Sequence, residues 1–129
     1  MSDPTAPGYL LDATALAALG TSRRVSVLLT TAPHFHLPIY APVTCVDAAD
    51  RIRPGIARHV GRIAAVEPID LTYSAVLDLR ERTPQTRLDI AHVIALARPR
   101  PDWSAGLIVA TARPDQYTGH DLPLYPVGD

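Results

Sequence analysis

The 129-residue sequence contains no lysine, so its twelve cations are all arginines, set against thirteen acidic residues for a formal charge of −1. That balance excludes a uniformly basic nucleic-acid binder and leaves only local positive patches. Arg51, Arg53, Arg58 and Arg62 form one, with no acid after Asp50, and Arg80, Arg82, Arg87, Arg98 and Arg100 bracket another. The all-arginine usage reads first as coding bias and second as selection for planar, bidentate contacts. A single cysteine, Cys45, excludes an internal disulfide and fits a reducing compartment. No apolar run approaches the ~18 residues of a membrane span. No cation precedes Arg23, so a cleaved leader is not expected and the protein is expected to be soluble and cytoplasmic. Repeats and low-complexity tracts are missing, and the few aromatics do not interleave with arginines as in a stacking platform for single strands.

What is present is a foldable chain. Apolar residues make up 47% and charged residues 19%, enough to bury roughly two thirds of the unfolded surface without staples. We expect one domain over residues 9–129 behind a flexible segment 1–8. Tyr9 to Leu11 reads as a short buried strand. Asp12 then opens a helix over Ala13 to Leu19, closed by Gly20, and Ser22 caps a second helix to about Thr31. The proline-bounded stretch Pro33 to Pro38 leads into a strand at Ile39 to Val43. Thr44 to Ile52 turns helical, with a break at Arg53 before Pro54 opens a continuation carrying Ile56, Val60 and Ile63. A strand at Ala65 to Ile69 and a helix at Thr72 to Arg82 follow. Thr83 and Pro84 read as the cap and first residue of another helix, in which Ile90, Val93, Ile94 and Ala97 recur at i, i+3, i+4 and i+7. Gly106 to Thr111 reads as a buried central strand and Leu124 to Val127 as an edge strand. Strands alternating with helices predict an α/β domain whose mostly parallel sheet is covered on both faces.

In such sheets ligands sit outside the carboxyl ends of the strands. Asp12 follows the first strand, Asp47 lies just beyond the second, Asp89 heads the striped helix, and Thr111 to Asp115 follow the central strand. Converging carboxylates repel one another unless a hard cation such as Mg²⁺ or Mn²⁺ sits among them, an arrangement suited to phosphodiester cleavage.

Three segments carry a resemblance. Leu10 to Leu19 (LLDATALAAL), Arg87 to Ala97 (RLDIAHVIALA) and Leu107 to Tyr117 (LIVATARPDQY) resemble, in order and spacing, the signature blocks of the PIN-domain family, over nearly the whole chain. The resemblance implies a small Rossmann-like three-layer α/β fold. Many bacterial members are VapC-like toxins, so it also implies a Mg²⁺- or Mn²⁺-dependent endoribonuclease acting on RNA and silenced by an antitoxin. Residue by residue, it puts the family's first aspartate at Asp12 and its hydroxyl at Thr14. The second acid falls at Asp47, one methylene shorter than the usual glutamate, with Asp50 a weaker substitute. The third falls at Asp89, with His92 one turn along the same face. Asp12, Asp47 and Asp89 would be the catalytic and metal-holding residues, with Thr14, His92 and Thr111 orienting them or a water.

The family's fourth acidic position is occupied by Arg113, a fixed positive charge able to pair with Asp12 or Asp89, while Asp115 lies two residues further on. Two functions stand on these residues. One is an active metal-dependent ribonuclease. The other is a catalytically inactive PIN-like domain that binds a protein or RNA partner. The family also implies a homodimer, and the lack of a long apolar run leads us to expect no membrane partner.

Plain structural roles compete at each position. Asp12 suits a helix N-cap, worth about 1 kcal/mol. Asp47 suits an i, i+4 pair with Arg51, worth about 0.3–0.5 kcal/mol. Asp89 suits the positive end of a helix. His34 and His36 would share a side of an extended chain but lack a third ligand at a recognised spacing. Cys45 reads as a small buried apolar residue.

Overall fold

The computed structural model describes residues 8–128; most of the segment expected to be flexible, 1–7, lies outside the described residues. Five short strands, β1 (Gly8–Leu11), β2 (Ile39–Pro42), β3 (Val66–Ile69), β4 (Leu107–Thr111) and β5 (Leu124–Pro126), form one sheet in the order β3-β2-β1-β4-β5. Every pairing is parallel. Helices α1 (Ala13–Ala17), α2 (Arg23–His34), α3 (Val43–Ile52), α4 (Ile56–Val60), α5 (Tyr73–Arg82) and α6 (Leu88–Ala97) flank it in a Rossmann-like three-layer α/β arrangement. The predicted fold class is thus observed, with the sheet wholly rather than mostly parallel.

Leu10, Leu11, Leu16, Leu19, Ile39 and Leu107 are fully buried around β1 and β4, each contributing about 1.5–3 kcal/mol relative to exposure. The chain winds outward from β1 to β3, crosses back to β4 and continues to β5. The strand order reverses between β1 and β4, so the crevice outside their carboxyl ends, where Asp12 and Thr111 sit, is the topological switch point.

Several boundaries depart from the sequence reading. The first strand begins at Gly8, inside the segment expected to be flexible, because Gly8 pairs with Leu107. The second helix runs past Thr31 through Pro33 to His34. Pro33 sits in the last turn and lacks the N–H that would bond back to Leu29 O. His36, at φ 58°, then ends the helix: its N–H donates to Pro33 O and that of Leu37 to Ala32 O, a Schellman motif with histidine at the left-handed position. His34 and His36 therefore do not alternate along an extended chain.

The continuation after Arg53 starts at Ile56, not Pro54. Gly55, at φ 98°, makes the turn, and Asp50 Oδ1 accepts from the N–H groups of Gly55 and Ala57. Ile63 falls beyond this helix. The striped helix begins at Leu88, four residues later than Pro84. Thr83 does not cap it, because its hydroxyl donates to Leu79 O at the end of α5. Arg80 holds the intervening turn through Thr86 O.

Candidate functional site

Asp12 leaves β1 and caps α1. Its Oδ1 accepts from Ala15 N–H at 2.9 Å and from the Thr14 hydroxyl at 2.7 Å, and its Oδ2 accepts from the Tyr117 hydroxyl at 2.8 Å. The side chain is 2% exposed. Tyr117 arrives from a 3₁₀ turn after β4 (Pro114–Tyr117). Burial, together with the Asp12 charge, pushes its phenol far above the ordinary tyrosine range, so it stays a donor. Thr14 Oγ1 in turn accepts from Ala112 N–H and lies 3.3 Å from Thr111 Oγ1, which accepts from Arg113 N–H. The Asp12, Thr14, Thr111 and Tyr117 side chains stitch the ends of β1 and β4 together.

Asp89, on the first turn of α6, is nearly buried and takes a two-pronged contact from Arg87, at 3.1 Å to Oδ1 and 3.0 Å to Oδ2. Asp47, on α3, pairs with Arg51 at 3.0 Å, with both side chains exposed. Asp47 and Asp89 nevertheless line one cavity of about 610 Å³, together with Thr14, Arg51 and Arg87. Asp12 does not line it. Arg113 turns away from all three acids and forms an exposed pair with Asp115 at 3.2 Å. The expectation that Arg113 could pair with Asp12 or Asp89 is thus corrected: Asp115, two residues away, offers a two-pronged partner without a buried approach.

His92 lies behind Asp89, 3% exposed, with Nδ1 2.8 Å from the Thr44 hydroxyl of α3. Burial, reinforced by the charge of Arg100, lowers its pKa to about 4. It is a neutral tie between α6 and α3. Cys45 is buried, with its thiol directed at Asp89 O. Burial, with the Asp12 and Asp89 charges added, holds the thiol well above its usual range, so it is protonated and inert.

A Mg²⁺ or Mn²⁺ ion needs a compact set of oxygen ligands. Among the described residues, no three His, Cys, Asp or Glu side chains are grouped to hold one. Each of the three predicted acids has a partner within the fold: Tyr117, Thr14 and Ala15 for Asp12, Arg51 for Asp47, and Arg87 for Asp89. In this arrangement the carboxylates do not fit the ion that the resemblance implies. The sequence reading found Asp12, Asp89 and the Asp47–Arg51 pair but missed Tyr117 and Thr44. Tyr117 lies 105 residues from its partner Asp12, beyond the reach of any local pattern. Arg87, two residues before Asp89, was visible as Arg-Leu-Asp.

Comparison with protein-family models, curated proteins and solved structures finds no match to this chain.

Proposed function

We propose that this chain is a PIN-like domain that binds RNA without cleaving it. The reading rests on one observation: the three carboxylates that metal-dependent cleavage needs are each engaged by a partner of their own, and Asp12 lies behind Thr14 rather than on the cavity. Arginines supply the binding chemistry. Arg51 and Arg87 line the cavity, and Arg58 and Arg62 lie exposed on and after α4 without an ion-pair partner among the described residues. Guanidinium groups take phosphate oxygens two at a time, and the exposed Arg51–Asp47 pair is weak enough for a phosphate to displace.

Fluorescence anisotropy with a mixed single-stranded RNA pool tests this. The expected result is salt-sensitive binding, weakened several-fold by Arg58→Ala with Arg62→Ala, and no cleavage with Mn²⁺ present. An absence of RNA binding at low salt removes the proposal.

A second reading, a metal-dependent ribonuclease of the toxin type, is favoured by Asp47, Asp89 and Thr14 lining the same cavity. It replaces the first if Mn²⁺-dependent cleavage is seen and is abolished by both Asp47→Asn and Asp89→Asn. A homodimer or an antitoxin complex belongs to either reading; light scattering of the isolated chain tests the dimer. Among the described residues no helix is long and apolar enough to cross a membrane.

A further inference from the structure

A second cavity, of about 700 Å³, opens between the β2–β3 edge of the sheet and helices α5 and α6, with Ile69, Asp70 and Leu71 lining it at the carboxyl end of β3. One wall is aromatic. The half-buried rings of Tyr40 and Trp103 lie 5.4 Å apart at 38°, and Trp103 is fixed by its indole N–H donating to Leu96 O at 2.7 Å. The remaining wall is acidic. Glu67, Asp70, Asp78 and Asp102 line it against one guanidinium, that of Arg100. Asp78 is paired with Arg82, whereas Glu67, Asp70 and Asp102 have no ion-pair partner among the described residues. His92, which reaches this cavity from α6, is neutral near pH 7 and supplies no positive charge. The charges of Glu67 and Asp102 both bear on the Tyr40 phenol, raising it further than burial alone, so acids and aromatics face the same space.

The geometry points to this cavity as a binding site for a small organic cation of the amine or guanidinium class. Three features select that chemistry. Aromatic faces attract cations through the ring quadrupole, most strongly tryptophan, and the chain already demonstrates this by seating its own Arg100 guanidinium 5.4 Å from the Trp103 ring centroid. Unpaired carboxylates repel anions and leave a neutral ligand without a charge partner. A bare divalent ion is too small for the site, since among the described residues no three acidic or imidazole side chains group closely enough to hold one. The volume lies within the ordinary range for a small-molecule pocket.

Trp103 is the chain's single tryptophan, so fluorescence excited at wavelengths that tyrosine does not absorb reports on this cavity. The full chain is titrated at physiological salt with agmatine, which carries a guanidinium and an amine on one alkyl stem. 1,4-Butanediol serves as the neutral control and MgCl₂ as the inorganic one. The expected result is a saturable change with agmatine and none with either control. Glu67→Gln combined with Asp102→Asn, two near-isosteric exchanges on exposed residues, is expected to weaken agmatine about tenfold, about 1.4 kcal/mol for the two lost charge contacts together, while leaving the thermal midpoint unchanged. Arg100→Gln frees the Trp103 face and is expected to tighten agmatine several-fold. An equal response to butanediol, unchanged affinity in the double variant, weaker binding in Arg100→Gln, or no saturation by about 10 mM, an affinity weaker than millimolar, would each overturn the assignment.

Discussion

The two cavities share helix α6 but differ in what their carboxylates hold. At the switch-point rim, Asp12 is saturated by Tyr117, Thr14 and Ala15, Asp89 is clamped by Arg87, and Asp47 faces Arg51. In the cavity beside β3, Glu67, Asp70 and Asp102 face open space without an ion-pair partner among the described residues. An acid at the carboxyl edge of a parallel sheet is well positioned, but position alone does not make it available. Oxygens already accepting from the fold act as struts, and a ligand must first displace what holds them. The acids most open to a ligand are those the fold has left unpaired.

The sharpest way to break this comparison is to remove the central strut. Asp12→Ala strips the cap from α1 and leaves the buried Tyr117 hydroxyl and the Ala15 N–H without an acceptor, so a loss of about 3 kcal/mol in unfolding free energy is expected. Urea denaturation measures it. A change below about 0.5 kcal/mol, the level of an ordinary surface substitution, means that Asp12 carries no structural load and is free for other chemistry.

His92 tests the wall between the two cavities, since its partner Thr44 lines the first and its own ring lines the second. Its pKa is about 4 in the folded protein and 6.5 as the ordinary value. Because the folded value is depressed, the unfolded chain takes up a proton that the folded chain refuses as pH falls below 6.5. Stability therefore falls between pH 6.5 and 4 and loses no more to this group below that. The total from this residue is of order 3 kcal/mol. Comparing chemical denaturation of the wild type and His92→Gln across that window isolates it from the carboxylates that titrate nearby. A His92→Gln profile parallel to the wild type refutes the assignment.

Much of the fold was legible because it is local chemistry. Asp12 and Ser22 cap helices where their side chains predict, the break falls at Arg53, and the α6 stripe at Val93, Ile94 and Ala97 is buried. Errors arose where a tertiary or cross-element bond outweighed a local signal. Thr83 looks like a cap but closes the preceding helix. Pro33 looks like a boundary, yet the Schellman turn at His36 sets the end one residue later. The site was legible at the level of which strand ends would carry acids. Its wiring was not, because hydrogen bonds such as Tyr117 to Asp12 join residues with no sequence relation. The second cavity drew no attention in the sequence, since Tyr40, Glu67 and Trp103 come from separate strands and loops that only the sheet order brings together.

Tyr117→Phe sharpens the comparison more gently. It removes one hydrogen bond to a carboxylate while keeping the ring, for an expected loss of about 1.5 kcal/mol at neutral pH. A second signature appears in alkali. The Tyr117 phenol is raised in the fold above its ordinary 10.0, so its contribution is intact below pH 10 and declines above it, as the unfolded chain ionises and the folded one resists. The variant is expected to lose this part of the alkaline decline. It also frees Asp12 Oδ2, so calorimetry of Tyr117→Phe with Mn²⁺ asks whether that one hydroxyl stands between the rim and an ion. Uptake by the variant alone would show that the strut, rather than the absence of a fourth acid, keeps cations out.

The smallest effect belongs to Asp47. Its partner Arg51 is 80% exposed and Asp47 itself 65%, so solvent screens the pair and Asp47→Ala is expected to cost about 0.3 kcal/mol or less. The two proposed functions diverge at this residue despite its negligible structural weight. If arginines bind RNA, deleting Asp47 releases Arg51 from its only ion-pair partner among the described residues, and RNA affinity rises modestly. If carboxylates at this cavity serve cleavage, the same deletion lowers activity and leaves binding nearly unchanged. A substitution that leaves the melting curve in place but moves RNA affinity upward would therefore separate an arginine-lined surface from an acid-lined one, with misfolding excluded as the cause of either result.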